Sequence, residues 1–255
     1  MLTILAVMLL LASLAVWPQI DLAISSQFYE PGKGFLHARE DFFRFMEELA
    51  YYGARVLCLL FGLCAIVALW IRKPLKLFGA PIRAKGWLFL LLALLLGPGL
   101  IVNLGFKNHW GRARPREISE FGGPAQFSAA LEPQIITRNN GSFMSGDAAF
   151  GFFLPSFAYV MPIRQDMKRR KKSDGKEKTI PLSRRFFWGG TAAGVLFGFA
   201  RLAMGAHFFS DVLFAAFFVL SATAFLHMLM FGRRATVMHW RDWFFYQPKS
   251  PENKA

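Results

Sequence analysis

Cysteine is nearly absent from this 255-residue chain. Cys58 and Cys64 lie within one apolar run, where neither a disulfide nor a metal pair is indicated, and they read as two buried hydrophobes. No internal repeat is visible, which argues against a transporter built from inverted halves. Acids are scarce, 16 against 30 Lys and Arg. The densest basic run, RQDMKRRKKSDGKEK, carries no aromatic residues on which bases would stack, so no nucleic-acid partner is expected. It reads as a solvated loop that sets membrane orientation rather than as a lipid-headgroup patch. No cluster of His, Asp and Glu at metal-ligand spacing stands near the remaining charges, so neither a metal nor another cofactor is expected.

What the chain has in abundance is apolar length, with 55% of its residues hydrophobic. Residues 2–16, 52–71, 87–105, 148–161, 186–204 and 208–231 are mostly near the roughly 20 apolar residues that cross a bilayer as a helix. The expectation is an all-α fold, a single domain over residues 1–255 built as a bundle of about six transmembrane helices. Trp17-Pro18 ends the first stretch early, and Pro155 and Pro162 interrupt or close the fourth. The first stretch is short enough for a signal peptide. It lacks a preceding Lys or Arg and a clear small-x-small cleavage site, so it is read as a retained span.

Lys and Arg favour the cytoplasmic side. Residues 72–86 carry five cations and no acid, residues 162–185 carry ten cations, and the tail from 232 carries five, twenty of the 30 in all. The loops 18–51 and 106–146 carry three and five cations against six and three acids. Both termini are therefore expected in the cytoplasm, with 162–185 a basic cytoplasmic loop and 106–146 an outer loop.

That topology leaves the stretch KNHWGRARP, Lys107 to Pro115, on the outer side against the bias, so something other than topology must hold it there. SFMSGDAAF and ARLAMGAHFFSDV fall at the same end. Lys107, Arg114 and Arg201 offer one point charge and two planar forks, a set suited to phosphate oxygens. Ser145 and Gly146 sit where the fourth helix starts, with free backbone N–H groups and a positive dipole end. His207 and Asp211, four apart, share one helix face, so the carboxylate can fix one imidazole nitrogen and leave the other free to attack. Singly each has a plain structural reading: a satisfied core histidine, a helix cap, an arginine reaching out from the end of its span. Gathered at one membrane end, they point to phosphate chemistry.

In these residues the chain resembles the type 2 phosphatidic acid phosphatase superfamily of lipid phosphate phosphatases. Lys107 and Arg114-Pro115 match its first motif, Lys, six residues, Arg-Pro. Arg201, His207 and Asp211 match its third, with Ala200 where a serine is usual. Met144-Ser145-Gly146-Asp147 stands where the second motif reads Pro-Ser-Gly-His. DLAISSQFYEPGKGF also looks like a segment that bacterial members carry after their first span, so the resemblance covers residues 21–35 loosely and 107–211 well.

The resemblance implies a metal-free phosphatase whose nucleophile is His207, forming a phosphohistidine that water hydrolyses. It implies Asp211 as the orienting residue and Lys107, Arg114, Ser145, Gly146 and Arg201 as the phosphate site. Asp147 replaces the histidine that helps protonate the leaving group. It serves as that acid only with a raised pKa, whereas Lys and Arg nearby lower it. The alternative is that it suits the positive end of the fourth helix. The Ser-Gly-acid variant resembles the subgroup that includes lipid A 4'-phosphatases, which implies a lipid phosphate substrate in a bacterial inner membrane, met at the periplasmic face. Undecaprenyl diphosphate hydrolysis, phosphate transfer between lipids, and a non-enzymatic anionic-lipid binding or transport protein stay open. The sequence carries no signature of oligomeric state.

Overall fold

A computed structural model describes residues 17–134, 141–163 and 181–244. The expected first span, most of the basic loop and the end of the tail lie outside the described residues. The chain is mainly helical, as expected. After a short helix α1 (Gln19–Ser26), strands β1 (Tyr29–Glu30) and β2 (Gly34–Phe35) form a small antiparallel hairpin. Helix α2 (Asp41–Trp70) leads to a second hairpin, β3 (Leu75–Leu77) with β4 (Ala80–Ile82). Helix α3 (Ala84–Leu94) continues in a wider winding over Leu95–Lys107. Helix α4 (Gly146–Phe153) continues as a tighter 3-10 stretch (Leu154–Val160), and α5 (Leu182–Ala203), α6 (Phe209–Phe231) and α7 (Arg233–Phe244) complete the order.

Among the described residues, four helices are long and apolar enough to cross a membrane: Asp41–Trp70, Ala84–Lys107, Leu182–Ala203 and Phe209–Phe231. The expected fourth span differs. Its eight α-helical and seven 3-10 residues rise roughly 26 Å together, a little short of the roughly 30 Å hydrocarbon core. Every residue from Ala148 to Phe153 is buried, because α4 packs among α3, α5 and α6 instead of facing outward. Pro155 brings no N–H to continue the α-helical ladder, and the tighter winding begins there.

Close approach to α5 rests on Gly190 and Gly194, a four-residue spacing of the kind that lets helices in membranes touch backbone to backbone. A Cβ at Gly190 would lie 2.6 Å from the Pro155 nitrogen, and one at Gly194 would lie 2.5 Å from the Phe152 ring.

Helix α2 starts at Asp41, eleven residues before the expected span, and so takes in the last part of the outer loop assigned from charge. The reason is an amphipathic pattern: Phe43, Met46 and Ala50 are buried at helical spacing and dock this extension on the bundle. Farther along, Val56, Leu59, Leu63, Ile66 and Trp70 form an exposed apolar stripe suited to lipid. Helix α3 runs two residues past its expected end, and the Asn103 amide donates to the Pro98 carbonyl at 2.7 Å inside its wider winding. Helix α7 makes the start of the expected tail an ordered element. Its Trp243 stacks on Phe187 at 4.4 Å between ring centres, and its Trp240 indole donates to the Tyr159 hydroxyl.

Candidate active site

Three chain segments are tied together at one end of the bundle. After α3, the Lys107 carbonyl accepts from Gly141 N–H at 3.1 Å and the Arg112 carbonyl from Ser142 N–H at 2.8 Å. The Asp211 carbonyl in turn accepts from Ser145 N–H at 3.4 Å. These main-chain bonds set the start of α4 beside the first turn of α6. Ser145 is the N-cap of α4, its hydroxyl accepting from Ala148 N–H at 3.3 Å, so the capping reading of this residue holds. Gly146 faces Asn103 and Lys107: a Cβ there would lie 2.9 Å from Asn103 Oδ1 and 3.4 Å from Lys107 Nζ.

His207 lies in the turn between α5 and α6 and is 1% exposed. Its Nδ1 donates to the Ser142 carbonyl at 2.7 Å, while the Asp211 carboxylate stands 3.8 Å away, beyond hydrogen-bond reach. A carbonyl only accepts, so Nδ1 carries the proton and Nε2 keeps its lone pair. Nε2 is buried with no hydrogen-bond partner among the described residues. Burial first, together with repulsion from Arg201 and Lys107, pushes the pKa of His207 down to about 3 against the pull of Asp211. The ring is neutral at physiological pH.

Asp211 stands beside the imidazole at 3.8 Å, too far for a direct hydrogen bond. Its carboxylate is engaged elsewhere, accepting from Phe208 N–H at 2.7 Å, from the Ser142 hydroxyl at 2.5 Å and from Arg112 Nη1 at 2.6 Å. It reaches the ring through Ser142, whose hydroxyl it holds and whose carbonyl holds the ring. Arg112 is fully buried. It donates also to Asp21 at 2.8 Å, to the Ser210 hydroxyl at 2.9 Å and to the Ser128 carbonyl at 3.0 Å. Asp21, brought in by α1, accepts from Ser210 N–H at 2.8 Å. The Arg112 guanidinium lies 4.2 Å from the ring centre of Phe208, which belongs to a second apolar cluster with Phe35, Ala113, Ile118 and Phe121.

Arg201, in the last turn of α5, is 3% exposed and holds two carboxylates. Its Nε is 2.9 Å from Asp147 Oδ2 and its Nη1 is 2.9 Å from Glu47 Oε2. Lys107 and Arg114 act electrostatically on both carboxylates, so the three predicted cations gather around Asp147 and Glu47. Burial raises the pKa of Asp147, which precedes the apolar stretch of α4, against the opposing pull of Arg201 and Lys107. No group of three or more His, Cys, Asp or Glu suited to a metal ion occurs among the described residues.

Every site residue expected from the sequence comes to this end. Three others were missed: Asp21, Glu47 and Arg112. Arg112 stands in KNHWGRARP, where it counted only as charge, and Asp21 begins the loosely matching segment DLAISSQFYEPGKGF. The signal for Glu47 was the helical spacing of Phe43, Met46 and Ala50, which carries the second helix past the apolar run.

A bundle of apolar helices with cations, a capped helix start and a neutral histidine at one end has the parts of a membrane phosphohydrolase. Residues 86–235 match the PAP2 superfamily, and the chain belongs to that family. It is similar to a lipid A 4'-phosphatase of Francisella tularensis subsp. novicida (strain U112), 30% identical over 220 residues, 86% of this chain and 90% of that one. Lipid A 4'-phosphatases of Rhizobium leguminosarum and of Rhizobium etli are each 35% identical to it over 47% of this chain and, respectively, 44% and 40% of their own. No solved structure gives a significant match. Every predicted site residue lies inside the family match, whereas Asp21 and Glu47 lie outside it.

Proposed function

We propose that this phosphatase removes a phosphate from the lipid A headgroup at the periplasmic face of a bacterial inner membrane. The observation that carries the reading is the buried, unpartnered Nε2 of a neutral His207 beside Arg201 and Lys107. Nε2 attacks phosphorus and the bond to the sugar oxygen breaks, leaving a phosphohistidine. Water then attacks phosphorus, the P–N bond breaks, and inorganic phosphate departs with the ring nitrogen restored. Positioning and charge neutralisation on the equatorial oxygens supply most of the acceleration in such transfers, and the cations with the N–H group at Gly146 provide both, the Ser145 N–H being held by the Asp211 carbonyl. The relatives named lipid A 4'-phosphatase, one covered over nine-tenths of its length, support the substrate.

Asp147 is the proton donor to the departing sugar oxygen, with its burial favouring the protonated form. The Arg201 contact at 2.9 Å favours the ionised form and supports undecaprenyl diphosphate, whose phosphate leaving group needs no proton, as a second reading. Purified protein in EDTA, given lipid A, undecaprenyl diphosphate and an aryl phosphate, separates them. Asp147→Asn is expected to slow lipid A turnover on the order of a hundredfold and the other two far less. A small, even effect across the series would remove the acid role, and no phosphate from lipid A would remove the substrate.

The reading also takes six spans, namely residues 2–16, α2, α3, residues 148–161, α5 and α6, with the catalytic end outside. A membrane-impermeant maleimide applied to spheroplasts should label Glu120→Cys and reach Lys76→Cys only after permeabilisation; both positions are exposed. The reverse pattern would place the site in the cytoplasm.

A further inference from the structure

Arg201 is expected to grip phosphate, yet two carboxylates already hold it, and they are not alike. Asp147 is fixed at the first turn of the central helix, with its side chain 19% exposed. Glu47 reaches in from the extension of α2 at the rim, with its side chain 46% exposed. A guanidinium has two edges able to take an oxyanion by paired N–H donors, and both edges share Nη2. Asp147 Oδ2 lies 2.9 Å from Nε as an ion pair, although Nε makes no hydrogen bond among the described residues, and Glu47 Oε2 lies 2.9 Å from Nη1, so a carboxylate stands against each edge. A phosphate gripped by either edge must displace one of them. Glu47, on the long and half-exposed side chain, is the one that can swing away.

We propose that Glu47 is a built-in competitor for the phosphate site, a residue that yields Arg201 to the incoming phosphate and reclaims it after hydrolysis. This rests on the reading of Arg201 as part of the phosphate clamp. The need for such a residue follows from charge. Lys107, Arg114 and Arg201 together would retain the inorganic phosphate dianion, and a carboxylate returning to the fork lowers that affinity and hastens release. Arg114 and Arg116 also act electrostatically on Glu47, so the same carboxylate screens them as well.

The test is binding of inorganic phosphate to the full chain in detergent, by calorimetry. Glu47→Gln is expected to tighten binding roughly three- to fivefold, the effect of removing one partly exposed ion pair, and to lower the inhibition constant of phosphate in turnover by the same factor. Glu47→Asp, one methylene too short to reach the fork, should tighten it as well. Damage to the fold weakens binding, so tightening cannot arise from it. Arg201→Gln should lose most phosphate binding. If it does not, the clamp reading fails. If it does while Glu47→Gln binds phosphate equally or more weakly, the competitor is disproved and the clamp stands.

Discussion

His207→Asn is expected to lower turnover by at least about a thousandfold while leaving the fold intact. The asparagine amide can still donate to the Ser142 carbonyl, which now accepts from Nδ1 at 2.7 Å, but it has nothing in place of Nε2. A brief acid-free quench of wild type with labelled substrate should trap phosphate on the protein, stable in alkali and lost in acid, and the variant should trap none. Residual activity above about a thousandth would mean that the transfer does not pass through this ring. The depressed pKa adds a second signature. A ring titrating near 3 stays neutral from pH 5 to 8, so no step in the rate over that range should belong to His207.

The other large effect belongs to Arg112, which contacts neither the imidazole nor the expected phosphate position. Removing its charge leaves Asp21 and Asp211 facing each other in a buried setting, both nearly inaccessible to water. Breaking a buried pair on one side costs about 3–5 kcal/mol. Arg112→Gln should therefore lower the thermal midpoint in detergent on the order of 10 °C, read against Arg116→Gln, an exposed neighbour that should change little. A loss under about 1 kcal/mol would show that water or local rearrangement compensates the two carboxylates.

The predicted site could be read from the sequence because its chemistry is carried by residue types that apolar helices rarely hold. Lys107, Arg114, Arg201, His207 and Asp211 stand out against their surroundings, and their spacing matches known motifs. The spans were legible for the same reason, with one difference of kind. Apolar composition marks a segment as shielded from water but does not say whether lipid or protein shields it. Helix α4, enclosed on all sides, is therefore shorter than a lipid-facing helix needs to be. Asp21, Glu47 and Arg112 were not legible as partners. Their importance lies in which distant residue each one meets, and a contact between positions 21 and 112 or 47 and 201 leaves no local trace in the chain. Charge counts also placed residues 41–51 in a loop, since they weigh Glu47 and Glu48 and ignore the period of Phe43, Met46 and Ala50.

The hold on His207 comes from a main-chain oxygen. Any residue at position 142 supplies the same carbonyl, so no substitution of a side chain deletes it, and no comparison of aligned letters records it. What fixes the proton on Nδ1 is the path of residues 141–145 between the end of α3 and the start of α6. Selection on that feature acts through loop length and the bonds that anchor the loop. An insertion or deletion there should be far rarer among working descendants of this chain than a change of residue at position 142.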